Sequence, residues 1–249
     1  IKKGEAKMVL TFFFFSFFTV AMGMVAKTAR DAYFLSRFEK SILPLMFLAV
    51  AIVIAPTLTY YTRLTNKFSP RKLFIITCSI FAGSFILIQP LISGFFIPIA
   101  YIWVEIVVGI MLIQFWTFAS SSLEPQQAKR LFGIIGGGGS FSVMLIGMNL
   151  KPFVNAFGTD ELLFVAAGFL IIAFVFGILS IQYFNKIPVK KGAAKKASKK
   201  KKRKKDPFIT GIGTIVALSA IVTVLVDYQF KMIASSTFPN EADLVAFFG

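Results

Sequence analysis

Long apolar runs broken by short polar segments fill most of the chain. A bilayer core of about 30 Å is crossed by about 20 mostly apolar residues in a helix. Seven stretches meet that length, near 8–37, 43–64, 71–92, 97–119, 130–150, 161–185 and 207–236. Pro44, Pro70, Pro90, Pro98, Pro152 and Pro207 stand at or near the proposed ends, where Pro costs least. Pro56 falls inside the second run and predicts a kink there. The pattern predicts an all-α, polytopic membrane protein whose solvent is lipid.

Composition agrees: 57% of the 249 residues are hydrophobic, 15% are charged and 31 are Phe, with a mean hydropathy of +0.78. A formal charge of +16 would suggest nucleic acid in a water-soluble protein, but 12 of the 27 Lys and Arg lie between Lys186 and Lys205. That stretch is of low complexity, with Gly192, Ala193 and Ala194 as spacers, and has no aromatic residues interleaved to stack on bases. It is expected to be a disordered connector that touches anionic lipid, at about 1 kcal/mol per basic residue near the surface. RNA or an acidic soluble partner is the alternative, and nucleic acid is not expected. Orientation follows from the basic residues. A cytoplasmic N-terminus puts Lys2, Lys3, Lys7, Arg63, Lys67, Arg71, Lys72, Lys129, Arg130 and the polybasic stretch inside, and leaves Arg37, Lys40 and Lys151 outside. The expected location is an inner membrane.

The polybasic stretch divides the chain into a six-helix bundle over 1–185, a linker over 186–206, and the first helix and following loop of a second unit over 207–249. Six helices, a basic cytoplasmic loop and a seventh helix is the layout of the major facilitator architecture, whose halves are related by a parallel repeat. The start at Ile1 and the stop at Gly249 are read as truncations; about five helices of a C-terminal half are then missing, and with them a partner of this fragment. The run from Met8 is too long for a signal peptide, and no small-residue cleavage site follows it. Shifted by 200 positions, Lys27 and Asp31 recur as Asp227 and Lys231, with Ser36/Ser236, Phe38/Phe238 and Phe47/Phe247 in the same register.

Cys78 is alone and His is absent, so a disulfide, a Cys/His zinc site and His-based acid–base chemistry are all unavailable within these residues. No catalytic reaction, cofactor or metal is expected. Gly136–Gly139 with Ser140 lacks the Lys-Ser/Thr of a phosphate-binding loop and sits in an apolar run, so it reads as close helix packing. Phe12–Phe18 reads as lipid-facing bulk, and Tyr33, Trp103 and Trp116 read as belt or cavity aromatics.

Ionisable groups at membrane depth are costly and usually face a cavity or a partner. Lys27, Arg30 and Asp31 lie late in the first run, Glu105 lies inside the fourth, and Asp227 with Lys231 lies late in the seventh. One reading is a polar translocation site in which Lys27, Arg30 and Lys231 attract an anion while Glu105 and Asp227 form exchangeable salt bridges. The other is that Lys27–Asp31 and Asp227–Lys231 are i,i+4 pairs that neutralise themselves near the outer interface. Arg30 lies roughly 33 Å along its helix from Met8 at 1.5 Å per residue, which favours the interface.

The strings Thr28-Ala-Arg-Asp-Ala-Tyr-Phe-Leu-Ser-Arg-Phe38, Tyr101-Ile-Trp-Val-Glu105, Gln114-Phe-Trp-Thr-Phe-Ala119 and Ala128-Lys-Arg-Leu-Phe-Gly133 resemble the ATP/ADP translocases, the nucleotide transporters of plastids and obligate intracellular bacteria. Val226-Asp-Tyr-Gln-Phe-Lys231 resembles the start of that family's second half, in wording closer to free-living bacterial relatives often fused to soluble repeat or cyclic-nucleotide-binding domains. The resemblance covers most of the chain. It implies a major facilitator fold, ATP/ADP-type antiport, and roles in nucleotide transport for Arg30 and Asp31, Glu105 and Asp227. A transporter-like sensor or scaffold, and a proton-coupled carrier of another organic anion, are the competing classes.

Overall fold

The structure, a computed structural model, describes residues 5–65, 67–89, 96–159, 161–184, 207–238 and 240–248. The polybasic stretch Lys186–Lys205, the linker drawn at 186–206 and Pro90 lie outside the described residues. The elements are α1 (Ala6–Arg37), a 3-10 turn (Lys40–Ile42), α2 (Leu43–Thr65), α3 (Pro70–Ile88), α4 (Phe96–Ser122), α5 (Pro125–Phe157), α6 (Leu162–Phe184), α7 (Pro207–Thr237) and a short α8 (Glu241–Phe248). Seven of these helices, α1 to α7, are long and apolar enough to cross a membrane. The protein is an all-α, multi-pass membrane protein.

Local chemistry sets the helix starts. Ser69 accepts from the Lys72 backbone N–H at 3.4 Å, and Pro70 opens α3 where its missing N–H costs nothing. Pro125 opens α5 in the same way, with the Gln127 side chain accepting from the Glu124 N–H at 3.2 Å. At the far end of α5, Gly158 takes a φ of 87°, a left-handed conformation that suits glycine, and its N–H closes on the Val154 carbonyl at 2.8 Å. Two prolines lie inside helices. α2 continues through Pro56, and α5 continues through Pro152 to Phe157, seven residues beyond the expected end at 150. In a membrane bundle an interior proline is tolerated because neighbouring groups satisfy the backbone, so Gly158, and not Pro152, stops α5.

α1 is the centre of the bundle, packed against α4, α5 and α6. Lipid tails are as apolar as Leu, so helices associate in a membrane through close packing and hydrogen bonds more than through exclusion of water. Both are present. A Cβ on Gly138 would collide with the Phe13 carbonyl oxygen, and one on Gly139 would press on Val20. The glycine run of α5 is therefore where two helix backbones approach, as its small residues predict.

The Phe run departs from expectation. Phe12 and Phe15 are fully buried, not lipid-facing. Phe15 meets Phe74, Phe115 and Phe118, while Phe14 and Phe18 stack on Phe176. A central helix has neighbours on several sides, so rings around its circumference are core residues. The segment after α7 also differs from the expected loop: α8 packs on α5 and α1 and buries Leu244 and Val245.

α7 joins the bundle by one end. Residues 211–226 are exposed, and burial begins where Lys231, Ala234 and Ser235 reach the other helices.

Candidate functional site

Spacing puts each set of charges on one helix face. Lys27, Arg30 and Asp31 are separated by three and four positions on α1, as Tyr101 and Glu105 are by four on α4, and Asp227 and Lys231 by four on α7. The three faces converge between α1, α2, α4 and α7 on a cavity of about 480 Å³. All six predicted residues line it, with Phe47, Val50 and Ala51 of α2 as the apolar wall. A volume of this size is that of a small-molecule pocket.

The six charges form one chain of alternating sign across three helices. Lys27 Nζ lies 3.1 Å from Glu105 Oε1, and Arg30 Nη2 donates to the same oxygen at 2.6 Å. Arg30 Nε stands 3.4 Å from Asp31 Oδ1, an electrostatic contact in which neither atom gains a hydrogen bond. Lys231 Nζ then reaches Asp31 Oδ2 at 3.0 Å and Asp227 Oδ2 at 2.9 Å. Asp31 and Lys231 are members of the two sets related by the 200-residue register, and they bind each other.

Exposure varies along the chain. The side chains of Arg30 and Lys231 are only 5% and 6% exposed, whereas the ends, Lys27 and Asp227, are 41% and 44% exposed. The inner ions are shielded by protein and the outer two open into the cavity. Three cations face three carboxylates, so the lining is neutral as it stands. Buried ions are tolerable only when paired and hydrogen-bonded, which accounts for the alternation.

The i,i+4 alternative holds on one helix and fails on the other. Asp227 and Lys231 do pair along α7. Lys27 turns instead to Glu105, and Asp31 to Lys231. The reason is burial: α4 and α7 bring partners within reach of α1, and those contacts satisfy ions that a pair exposed to the head groups would leave to water. Arg30, expected near the interface from its distance along α1, is enclosed by protein.

Two site residues escape a reading based on charge. Tyr101 accepts a hydrogen bond from Arg30 Nη1 at its carbonyl, at 3.0 Å, and its ring centroid lies 4.1 Å from the Arg30 guanidinium carbon. Its hydroxyl accepts from Lys231 Nζ at 3.5 Å. Phe47 presents its ring 5.2 Å from Lys231 Nζ. The four-residue spacing from Glu105 is a signal that finds Tyr101; Phe47 appears in the sequence only as a member of the 200-residue register, which does not point to the site. The other aromatics lie elsewhere. The Tyr33 hydroxyl donates to the Thr159 carbonyl at 2.9 Å, Trp103 donates to Ser84 at 2.8 Å, and Trp116 is half-exposed beside Phe115 and Phe132.

A second polar cluster sits inside the six-helix unit, where Gln114 donates to Tyr61 at 2.6 Å and to Thr77 at 2.5 Å, tying α4 to α2 and α3. Among the described residues no group of three or more His, Cys, Asp or Glu is placed to hold a metal ion. No protein-family model, curated protein or solved structure matches the chain.

Proposed function

We propose that this protein is a secondary transporter that exchanges organic anions of the nucleotide class, ATP for ADP, by alternating access, with the six-membered ion chain as its substrate site. The observation that carries the reading is the convergence of Arg30, Glu105, Asp31 and Lys231 from three membrane-crossing helices onto one cavity. A purely structural role is a poor account of it, because well-packed apolar residues of similar volume are commonly as stabilising as a buried ion network, or more so. Ionisable groups inside a membrane usually mark a substrate or ion pathway.

The chemistry follows from the pairing. Glu105 Oε1 sits between Lys27 and Arg30, and Asp31 sits between Arg30 and Lys231. An incoming phosphate oxygen that replaces one of these carboxylate oxygens inherits two cations at once. The displaced carboxylate is then free to re-pair, so binding and release each exchange ion pairs and do not strip them bare. Because Lys231 belongs to α7 and its partners Asp31 and Tyr101 to α1 and α4, the same exchange changes how firmly the seventh helix is held to the first six. The strings that resemble the ATP/ADP translocases support the nucleotide class, and with the cytoplasmic N-terminus that the basic residues favour, the site would lie toward the outer face of the membrane.

The test uses the full-length protein in proteoliposomes loaded with ADP, following entry of labelled ATP. Exchange should depend on internal nucleotide, persist with uncouplers, and fall at least about tenfold in Arg30→Ala and Glu105→Gln, since truncating one partner of a buried charge pair costs several kcal/mol. Uptake that collapses with the proton gradient would point to a proton-coupled carrier. Failure with every nucleotide would remove the proposal.

A further inference from the structure

Arg30 is held by more than its ion pairs. Its guanidinium has three edges, and all three face something: Nη1 the Tyr101 carbonyl at 3.0 Å, Nη2 Glu105 at 2.6 Å, and Nε Asp31 at 3.4 Å. The flat face is covered too, by the Tyr101 ring at 4.1 Å. Tyr101 therefore supplies one edge contact and the floor. It is 1% exposed, and Phe34 packs against its ring at a centroid separation of 5.3 Å, so the floor is fixed. The hydroxyl contact to Lys231, at 3.5 Å, is long for a hydrogen bond.

We propose that Tyr101 is a positioning residue: its ring and carbonyl orient the Arg30 guanidinium so that Nη2 is presented, beside Lys27 Nζ, at the point in the cavity where an anion's oxygen replaces that of Glu105. This deepens the reading of the cavity as an anion site and rests on it. The geometry explains why an Arg is useful at position 30. A planar fork on an aromatic face has one orientation, whereas an ammonium turns freely. With one Nη1 N–H committed to the Tyr101 carbonyl and Nε facing Asp31, Nη2 is the nitrogen that meets the carboxylate in the cavity. The second cation at that point comes from Lys27. The ring carries this role and the hydroxyl does not, so Phe substitutes for Tyr and an aliphatic residue does not.

The experiment combines two readouts on the full-length protein. In ADP-loaded proteoliposomes, Tyr101→Leu should raise the KM for ATP about tenfold or more with the maximal rate within about threefold of the parent, and Tyr101→Phe should restore KM to within about twofold. In detergent without substrate, a double-mutant cycle on Tm with Arg30→Met should show that the losses from Tyr101→Leu and Arg30→Met fall short of adding, while Tyr101→Phe retains the coupling. Additive Tm losses overturn the proposal whatever the kinetics do. So does an unchanged KM in Tyr101→Leu, or a Phe variant as impaired as the Leu variant. If the parent exchanges no nucleotide, the transport reading fails on its own. The Tm cycle then decides whether Tyr101 orients Arg30, and loss of coupling in Tyr101→Phe would overturn that assignment.

Discussion

α1 and α7 carry the same kind of charge set near the same end of the bundle, yet they are held in different ways. Over the most apolar part of α1, 56% of residues are buried; over that of α7, 0% are. The charges of α1 sit inside a packed helix whose position is already fixed by aromatic and glycine contacts with α4, α5 and α6. Those of α7 belong to a helix that meets the bundle only near its end, where the Lys231 ammonium enters between Asp31 and Asp227. Packing thus builds the α1 half of the site, and electrostatics attaches the α7 half to it. That division would suit the alternating access proposed above, with one side kept still and the other bound by contacts that can be exchanged.

The largest expected effect comes from removing the fixed node. Arg30→Ala leaves Glu105 with Lys27 alone and removes from Asp31 one of its two cations, at a guanidinium position that protein encloses. A loss of about 3–5 kcal/mol is expected, read as a large fall in Tm of the detergent-solubilised full-length protein. A variant that melts within a degree or two of the parent would mean that Arg30 is not the node of the network.

Lys231→Met sharpens the comparison. Asp31 keeps Arg30, and Asp227, with 44% of its side chain exposed, keeps contact with the cavity, so the cost is smaller, about 2 kcal/mol. The loss should appear as detachment of α7 and not as global melting. Ser235, 8% exposed beside Lys231, supplies the probe: in a Ser235→Cys background, Lys231→Met should speed labelling by a water-soluble maleimide roughly thirtyfold, the factor that 2 kcal/mol implies. Equal labelling rates would show that apolar contact, and not charge, docks α7.

Much of this was legible in the sequence, for physical reasons. Bilayer thickness imposes a length on apolar runs, so all seven membrane-crossing helices follow from counting. The six ionisable residues followed because a charge in such a run is costly enough to need a reason. What spacing left open was the choice between two sets of pairs. Lys27 has Asp31 four residues away on its own helix and Glu105 on another, and sequence spacing cannot weigh a local partner against one brought by packing. The same blindness placed Phe12 and Phe15 toward lipid: in so apolar a helix, no alternation of polar and apolar positions marks the inward face. α8 was missed because eight residues are too short for a membrane run, although Asn240 before Glu241 and buried Leu244 and Val245 form a short amphipathic pattern.

The smallest expected effect concerns that short helix, and it tests the rule from the opposite side. Arg37, at the end of α1, reaches Glu241 of α8 at 3.6 Å, with 38% and 22% of the two side chains exposed. Like the Lys231 contacts, this is an ion pair joining the α1 region to a later segment. Unlike them, it is long and open, and exposed pairs contribute little, typically less than about 1 kcal/mol. α8 has a different anchor, since Leu244 and Val245 are 1% and 0% exposed where it packs on α5 and α1. Arg37→Gln should therefore leave Tm nearly unchanged and leave backbone hydrogen exchange in α8 within about twofold of the parent. If exchange in α8 accelerates many-fold instead, charge holds that helix as well as α7. The contrast between a packed attachment and an electrostatic one would then have to be confined to α1 itself.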